Sequence, residues 1–343
     1  MTLLHGEPLL RGEPVKIIAT EEHMATAEVI DAWSRLGLES RDPGVAYHQI
    51  GDIAKRLLDL SKDRIALMDE AGVDVQVLSL TTPALHDLGA ESVDIARRVN
   101  DTLAEAVARH PDRFEAMATL PVARPEAAAA ELERCIVELG FTGAMLCGRV
   151  GEHHLDHPDF APIFEVAGRR SVPLLLHPRV VPEGVRTAWF SGFGDRVEMA
   201  LAGYAIGWHL DAGIQFIRLL LSGLFDRHPD LPVLLGHWGE LVLYYVDRLR
   251  ALDAVSELAH PLDTYLRRNV YLGASGMFSA EHLRRARGVV GPDRLLFSAD
   301  FPYQYRPERQ ARAFIENCGL GGEELTNFAS ENWCRLRDAI LRC

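Results

Sequence analysis

The stretch IIATEEHM at residues 17–24 joins an apolar run to a charged one within eight residues. Its first half continues from Val15, and Val15–Ala19 has the composition of a short strand that is covered on both faces. Glu21, Glu22 and His23 follow directly. Charged side chains at the end of a buried strand are typical of the active-site edge of a parallel sheet.

Further short apolar runs alternate with longer helical patterns along the chain. Asp94–His110 places apolar residues three and four apart, and Pro125–Leu139 begins with proline and is followed by Gly140. Val242–Leu252 and Ser279–Val289 have similar patterns. The alternation predicts βαβ units and a parallel sheet. The predicted strands are Val15–Ala19, Val73–Leu80, Phe114–Thr119, Gly143–Cys147, Val172–Leu176, Pro232–Leu235, Val270–Leu272 and Leu295–Ser298.

Eight such units favour a closed (β/α)8 TIM-type barrel over the alternative, an open α/β sheet with an insertion. Neither GxGxxG after the first strand nor GxxxxGK[ST] occurs, which disfavours nucleotide-binding open sheets. We predict one domain over residues 1–343, with a barrel core at about 15–305 and C-terminal helices at about 306–343. Pro182–Leu210, after strand five, exceeds one βα unit and predicts an excursion over the barrel mouth or a subunit contact.

Composition excludes several classes of partner. The formal net charge of −13 disfavours nucleic-acid binding, which needs a basic surface, and gives no membrane signal. Five cysteines without a CxxC pair indicate unpaired thiols in a reducing compartment. The first residues, MTLLHGEPLLRGEP, do not resemble a signal peptide, so we expect a cytoplasmic protein.

Candidate metal ligands occur at three strand ends. Because residues i and i+2 of an extended segment point the same way, Glu21 and His23 project together, whereas Glu22 faces the wall or solvent. His177 ends strand five and Asp300 follows strand eight, in the same layer of the predicted barrel. Two imidazoles and two carboxylates suit zinc or manganese and leave positions open for substrate.

Each ligand also has an ordinary structural explanation. His177 alone is compatible with a hydrogen-bonded loop residue, Glu21 with a rim ion pair, and Asp300 with a helix N-cap. Their common location at strand ends favours the metal site. Other histidines fit surface or loop positions better: His86, His153, His154 and His157.

Seven segments in order resemble the aromatic-acid decarboxylase branch of the amidohydrolase superfamily, which includes γ-resorcylate and 2,3-dihydroxybenzoate decarboxylases. The resemblance covers nearly the whole chain. Hydrolases of the superfamily usually carry His-x-His after strand one, whereas this chain has Glu-x-His, as the decarboxylases do. The segments are IIATEEHM (17–24), MDEAGVDVQVLSL (68–80), HPDRFEAMATLP (110–121), PLLLHPR (173–179), FDRHPDLPVLLGHWGE (225–240), NVYLGASGMF (269–278) and LFSADFPY (296–303).

The resemblance implies one divalent ion, Zn²⁺ or alternatively Mn²⁺, and a homodimer or homotetramer. It places Tyr303 beside the substrate ring. Trp238 stands where the family often has methionine, and Ser298-Ala299 differs from the family's usual sequence at strand eight. These differences leave the identity of the substrate open. It implies metal ligation by Glu21, His23, His177 and Asp300, and substrate or support roles for His237, Glu240 and Arg248.

The implied activity is nonoxidative decarboxylation of a hydroxylated aromatic acid. Asp300 would protonate the ring carbon that bears the carboxylate before CO2 leaves, and His237, oriented by Glu240, would bind the phenolic oxygen. Arg248 would position the carboxylate or Glu240. Two alternatives remain: hydrolysis of a lactone or amide by a metal-activated water, and a binding protein without catalysis.

Overall fold

A computed structural model describes residues 14–340 of the chain. The prediction about a signal peptide concerns residues that lie mostly outside this range, and Cys343 lies outside it as well. Eight short strands run through the described residues. They are β1 (Ile18–Met24), β2 (Val75–Leu80), β3 (Phe114–Ala116), β4 (Ala144–Cys147), β5 (Leu174–His177), β6 (Val233–Leu235), β7 (Val270–Gly273) and β8 (Leu295–Leu296).

The strands close into a parallel barrel. β1, β2 and β3 pair in that order, and so do β4 to β8. A parallel bridge between Ala118 and Ala144 joins β3 to β4. At the other seam, Glu22 bridges to Phe301, and the N–H of Thr20 donates to the carbonyl of Phe297 at 3.0 Å. The closed ring confirms the predicted (β/α)8 barrel.

Two strand boundaries differ from the prediction in a way that matters for the site. β1 continues to Met24 and β5 includes His177, so three predicted ligands lie within strands rather than after them. The prediction ended each strand at the first polar residue, but these polar residues are buried at the barrel mouth. The pairing of β1 with β2 is irregular between Ala19 and Glu22, where the apolar part of the strand meets its charged part.

Helices surround the barrel, and each predicted helix is present within a few residues of its expected bounds. No helix of the described residues is long and apolar enough to span a membrane. The α-helices are α1 (Ala27–Arg35), α2 (Leu38–Arg41), α3 (Pro43–His48), α4 (Gly51–Leu58), α5 (Lys62–Ala71), α6 (Ser92–Arg109), α7 (Pro125–Val137), α8 (Ala161–Arg169), α9 (Glu183–Val185), α10 (Asp195–Ala200), α11 (Gly207–Leu221), α12 (Leu224–Arg227), α13 (Val242–Leu249), α14 (Leu262–Arg268), α15 (Ala280–Val290), α16 (Gln310–Asn317), α17 (Gly322–Thr326) and α18 (Asn332–Ile340).

The excursion after β5 lies at the barrel mouth. This cover segment, residues 182–210, contains α9, α10, the start of α11 and two π-helical turns, Arg186–Phe190 and Leu201–Ala205. It has a small apolar cluster of its own around Phe190 and Ala202, separate from the main core. Tyr204 and Ala205 reach the cavity at the mouth, as expected for an excursion over the barrel.

Candidate active site

The predicted metal ligands converge at the mouth of the barrel. Ligand atoms of Glu21, His23 and His177 all lie within 4.8 Å of one another. His177 Nε2 is 3.7 Å from Glu21 Oε1, and Asp300 Oδ1 is 3.4 Å from His23 Nε2. All four residues are buried. β1, β5 and the segment after β8 therefore bring two imidazoles and two carboxylates to one point.

Several atoms of this group lack partners among the described residues. Glu21 Oε1 and both ring nitrogens of His23 accept or donate no hydrogen bond. His177 Nδ1 donates to the carbonyl of Pro178 at 2.8 Å, which leaves the lone pair of its Nε2 free for a ligand. Burial lowers the pKa of His23 to about 3 and that of His177 well below its usual value, so both rings are neutral, as metal ligands must be.

The two carboxylates lack a sufficient protein counter-charge. Burial raises the pKa of both Glu21 and Asp300 to about 7, although the charge of His237 opposes the shift. A divalent cation between them would remove this cost, because it stabilises the ionised form. The unpaired atoms and the mixed nitrogen and oxygen donor set therefore fit a divalent metal ion.

Ser275, after β7, supports this group and was not predicted. Its hydroxyl donates to Glu21 Oε2 and accepts from the N–H of His237, the latter at 2.8 Å. Gly236 permits the close approach, since a Cβ there would lie 2.6 Å from Glu21 Oε2 and 2.7 Å from the Ser275 hydroxyl. Strand seven carries no charged residue at its end, so the strand-end pattern gave no signal for it.

A second polar group lies beside the first. Glu240 accepts from His237 Nδ1 at 2.9 Å on one carboxylate oxygen and from His209 Nδ1 at 2.6 Å on the other. His209 lies in the first turn of α11. It is distant in sequence from any strand end, and it was not predicted. The rings of His209 and His237 meet edge to face, with centroids 4.9 Å apart.

In this second group the charges of the histidines and of Glu240 stabilise each other, unlike the two carboxylates among the candidate metal ligands. Burial alone would lower the pKa of His237, but the charge and hydrogen bond of Glu240, together with the charges of Glu21 and Asp300, outweigh burial and raise that pKa to about 10. His237 and His209 in turn lower the pKa of Glu240 to about 2 against the effect of burial. His209, His237 and Glu240 lie close enough to hold an ion, but their hydrogen bonds satisfy one another. The first group, with its unpartnered atoms, therefore fits an ion better than the second.

The backbone at these strand ends adopts the left-handed conformation at residues other than glycine. The φ angles are 48° at His237, 57° at Trp238, 57° at Glu240, 42° at Ser275 and 56° at Asp300. Such residues are costly, by about 1–3 kcal/mol each, and cluster where a site requires a special side-chain direction. Their concentration after β6, β7 and β8 marks the barrel mouth as the functional end.

A cavity of about 420 Å³ lies beside the candidate metal ligands. Its volume is large enough for a substituted benzoate. Three aromatic side chains line one side: Tyr303 lies with its ring centroid 6.0 Å from that of Tyr47, which is 5.8 Å from that of Tyr204. The lining residues are Tyr47, Thr82, His177, Tyr204, Ala205, Trp208, His209, His237, Ser275, Met277, Asp300, Tyr303 and Gln304.

The hydroxyl of Tyr303 is held by two protein partners. His48 Nε2 lies 2.5 Å from the carbonyl of Thr82, so this nitrogen carries the proton. Its Nδ1 then accepts from the Tyr303 hydroxyl at 2.6 Å, and Thr81 Oγ1 donates to the same hydroxyl at 2.7 Å. Tyr303 therefore lines the cavity with a hydroxyl that is already hydrogen-bonded to the protein.

The structure does not bring Arg248 to this site. Its side chain is exposed on α13 and does not line the cavity, and both oxygens of Glu240 are bonded to histidines. His153 and His157 stack on each other in an exposed or half-buried loop, with ring centroids 4.0 Å apart, consistent with their predicted surface position. His86 is buried and accepts from the N–H of Cys147 at 3.2 Å outside the cavity lining.

Comparison with known proteins assigns the family. The amidohydrolase family model matches residues 53–326. The chain belongs to the amidohydrolase family. This amidohydrolase is 35% identical to γ-resorcylate decarboxylase of Polaromonas sp. strain JS666 over 306 residues, covering 84% of the chain and 88% of the relative. It is 34% identical to the γ-resorcylate decarboxylase of Rhodococcus jostii RHA1 over 305 residues, with the same coverage.

Solved structures agree with the sequence relatives. The 5-carboxyvanillate decarboxylase of Novosphingobium aromaticivorans, in complex with manganese and 4-hydroxy-3-methoxy-5-nitrobenzoic acid, superposes with a TM-score of 0.87 at 30% identity, covering 94% of this chain and 96% of that one. The dihydroxybenzoic acid decarboxylase of Polaromonas sp. JS666, with manganese and 2-nitroresorcinol, gives 0.82 at 31%, covering 94% and 97%. This amidohydrolase is thus a carboxy-lyase of the aromatic-acid decarboxylase branch, dependent on a divalent metal.

Proposed function

We propose that this amidohydrolase removes CO2 from benzoates with an ortho hydroxyl, and that 2,6-dihydroxybenzoate is the first substrate to test. The observation that carries the proposal is the position of Asp300, which lines the cavity and also contacts His23. A carboxyl group at this position would lie close both to the candidate metal ligands and to an aromatic ring bound in the cavity. The γ-resorcylate decarboxylase relatives support the same substrate class.

Glu21, His23, His177 and Asp300 would hold the ion, and we propose Mn²⁺ ahead of Zn²⁺. Two of the four donors are carboxylates, which manganese accepts readily, and two related decarboxylases have manganese bound. When bound, the ion acts as a Lewis acid and a template for the substrate carboxylate and phenolic oxygen.

Asp300 supplies the proton in the proposed reaction. Direct loss of CO2 would leave an unstable aryl carbanion, so Asp300, after taking up a proton, first transfers that proton to the ring carbon that bears the carboxylate. The bond between that carbon and the carboxylate then breaks. Its electron pair restores the aromatic ring as CO2 leaves, and Asp300 regains a proton from solvent. Proton transfer of this kind contributes about 10²–10⁴-fold to a rate.

His237 and Tyr303 orient the ring. His237 lies on the cavity wall beside His177, and its hydrogen bond to Glu240 keeps its Nδ1 occupied, so its Nε2 is available for a phenolic oxygen. Tyr303 presents its ring face for stacking, with its centroid 5.4 Å from that of His23. The cavity therefore combines a polar wall with an aromatic one.

We also propose that the enzyme is a homodimer or homotetramer. Large apolar side chains on the cover segment are exposed, with Trp189 at 66% and Phe193 at 60%. Tyr244 and Tyr245 are exposed on α13, one turn before Arg248. This face would be covered by a second subunit, and Arg248 could then act only at the interface or in the neighbouring site. Light scattering during size-exclusion chromatography measures the assembly.

The activity test is CO2 release from a panel of hydroxybenzoates by protein loaded with Mn²⁺ or Zn²⁺. We expect turnover of ortho-hydroxybenzoates and none of benzoates that lack an ortho hydroxyl. Lactone hydrolysis in the absence of CO2 release would favour the superfamily's hydrolytic chemistry instead. Failure of every acid in the panel would overturn the proposal.

A further inference from the structure

His209 joins the cover segment to the catalytic wall of the barrel. It lies where the cover segment passes into α11, and four-fifths of its side chain is buried. Its Nδ1 lies 2.6 Å from Glu240 Oε2, and its Nε2 lies 3.2 Å from the carbonyl of Tyr204 within the cover segment. The imidazole of His209 therefore connects the backbone of Tyr204 to the carboxylate of Glu240, which in turn orients His237.

Both carboxylate oxygens of Glu240 are occupied by hydrogen bonds, and His209 holds one of them. Its other oxygen accepts from His237 Nδ1, so the two imidazoles share one buried carboxylate. If His209 were absent, Glu240 Oε2 would be buried without a partner, because among the described residues only these two rings donate to the carboxylate of Glu240. The carboxylate would then be free to rotate, and His237 would lose its fixed orientation.

The cover segment touches the substrate cavity through the same region. Tyr204, Ala205 and Trp208 line the cavity, and the ring of Tyr204 packs beside Tyr47. A movement of this segment would therefore change the cavity wall and, through His209, the hydrogen bond at Glu240. His209 therefore links the position of the cover segment to the geometry at Glu240.

We propose that His209 is a positioning residue for decarboxylation, which holds the cover segment in place and fixes His237 through Glu240. The role in turnover rests on the proposed function, whereas the structural connection does not. Two substitutions separate its two hydrogen bonds. His209→Asn keeps an amide donor near the position of Nδ1 but cannot reach the Tyr204 carbonyl, and His209→Leu keeps bulk but removes both donors.

The experiment uses the manganese-loaded enzyme, with 2,6-dihydroxybenzoate as substrate and the exposed His260→Asn as a matched control. Loss of a hydrogen bond to a charged group predicts that His209→Leu lowers kcat by about 10- to 100-fold. His209→Asn should restore kcat to within about 3-fold of the wild type by keeping the donor to Glu240. Metal content and melting temperature show whether each variant is folded and loaded.

Amide hydrogen exchange over residues 195–210 tests the structural half without any substrate. Both His209 variants should speed exchange in this region, by about 10-fold, because both lose the contact to Tyr204. The proposal is overturned if exchange and kcat of His209→Leu match the His260→Asn control, or if His209→Asn is as slow in turnover as His209→Leu. A wild-type enzyme that decarboxylates nothing overturns the proposed function, while exchange still decides whether His209 holds the cover segment.

Discussion

Glu22 accepts a hydrogen bond from the backbone N–H of Ala299 at 2.7 Å, and Ala299 immediately precedes the proposed metal ligand Asp300. Its second oxygen accepts from the side-chain amide of Gln76 at 3.0 Å. Gln76 in turn accepts from Arg64 Nε at 2.7 Å, and Arg64 donates to the carbonyl of His23 at 2.8 Å. Three buried side chains, Glu22, Gln76 and Arg64, therefore link the carbonyl of His23 to the backbone beside Asp300 through hydrogen bonds.

This hydrogen-bond network is sensitive to the replacement of one carboxylate oxygen of Glu22 by an NH2 group. Both oxygens of Glu22 face donors, so Glu22→Gln directs an NH2 group at another donor. We expect a loss of about 1–3 kcal/mol in the free energy of unfolding. Metal affinity should fall by about 10- to 100-fold, as for partners that orient ligands. Chemical denaturation and metal titration measure the two effects, with the exposed Glu91→Gln as control.

A double substitution provides the stronger test. In Glu22→Gln with Gln76→Glu, the amide of residue 22 can accept from Ala299 and donate to the new carboxylate, which also accepts from Arg64. The hydrogen-bond pattern and the total charge are restored, so we expect most of the stability and metal affinity to return. If the double variant is worse than the sum of the two single variants, the network does not act as described.

One ion per chain is the second prediction. Glu21 Oε1 and both ring nitrogens of His23 have no hydrogen-bond partner within residues 14–340, whereas His209, His237 and Glu240 satisfy one another. Elemental analysis should find about one Mn²⁺ per chain at saturation. His177→Asn should abolish binding, and Glu240→Gln should leave the stoichiometry unchanged. Two ions in the wild type and one in Glu240→Gln would show that the second group also binds metal.

Acid should destabilise the fold through two histidines away from the metal ligands. Burial lowers the pKa of His86 to about 3 and that of His48 to about 4, below the unfolded value of 6.5. Between these values the unfolded state binds more protons, so stability is complete above pH 6.5 and is lost as the pH falls toward 3. Each histidine contributes a slope of about 1.4 kcal/mol per pH unit in this window.

His86→Gln isolates one of these contributions. The glutamine oxygen can still accept from the N–H of Cys147, but the side chain no longer titrates. In chelator-treated protein, urea unfolding at pH 7.5 and pH 5 should show a pH dependence that is smaller by about one proton than in the wild type. An unchanged slope, equal to that of His260→Gln, would contradict the assignment.

Asp300→Asn is the fourth prediction. The amide is nearly isosteric but cannot deliver a proton to carbon, so turnover should fall by at least about 10³-fold. The melting temperature should stay near that of the wild type, and metal binding should weaken but remain measurable by titration. Residual activity above a tenth of the wild type at saturating metal would assign the proton transfer to another group.

The sequence predicted the barrel and the convergence of the candidate metal ligands, because both depend on a simple rule. Parallel strands are continuous apolar runs, and polar residues at their C-terminal ends meet at one mouth, so Glu21, His23, His177 and Asp300 could be grouped without a structure. The resemblance added His237 and Glu240. Their contact at 2.9 Å agrees with the proposed pairing.

The residues that the sequence did not reveal act through tertiary contacts that no local pattern records. His209 lies inside a helix, and Ser275 is a small neutral residue after an apolar strand. Glu22 was expected to face the wall or solvent, and only the structure shows that it is buried against Gln76 and Ala299. Arg248 fitted the resemblance, but helix α13 presents it outward from this chain.

The most direct test of the central claim is decarboxylation of 2,6-dihydroxybenzoate by the manganese-loaded enzyme in D2O, followed by mass spectrometry and NMR of the product. Protonation of the ring carbon by Asp300 predicts CO2 release and resorcinol with one deuterium at the carbon that carried the carboxylate, and product formation at least about 10³-fold slower with Asp300→Asn. Absence of CO2 with this and every other ortho-hydroxybenzoate, or equal product formation by Asp300→Asn, would contradict the account.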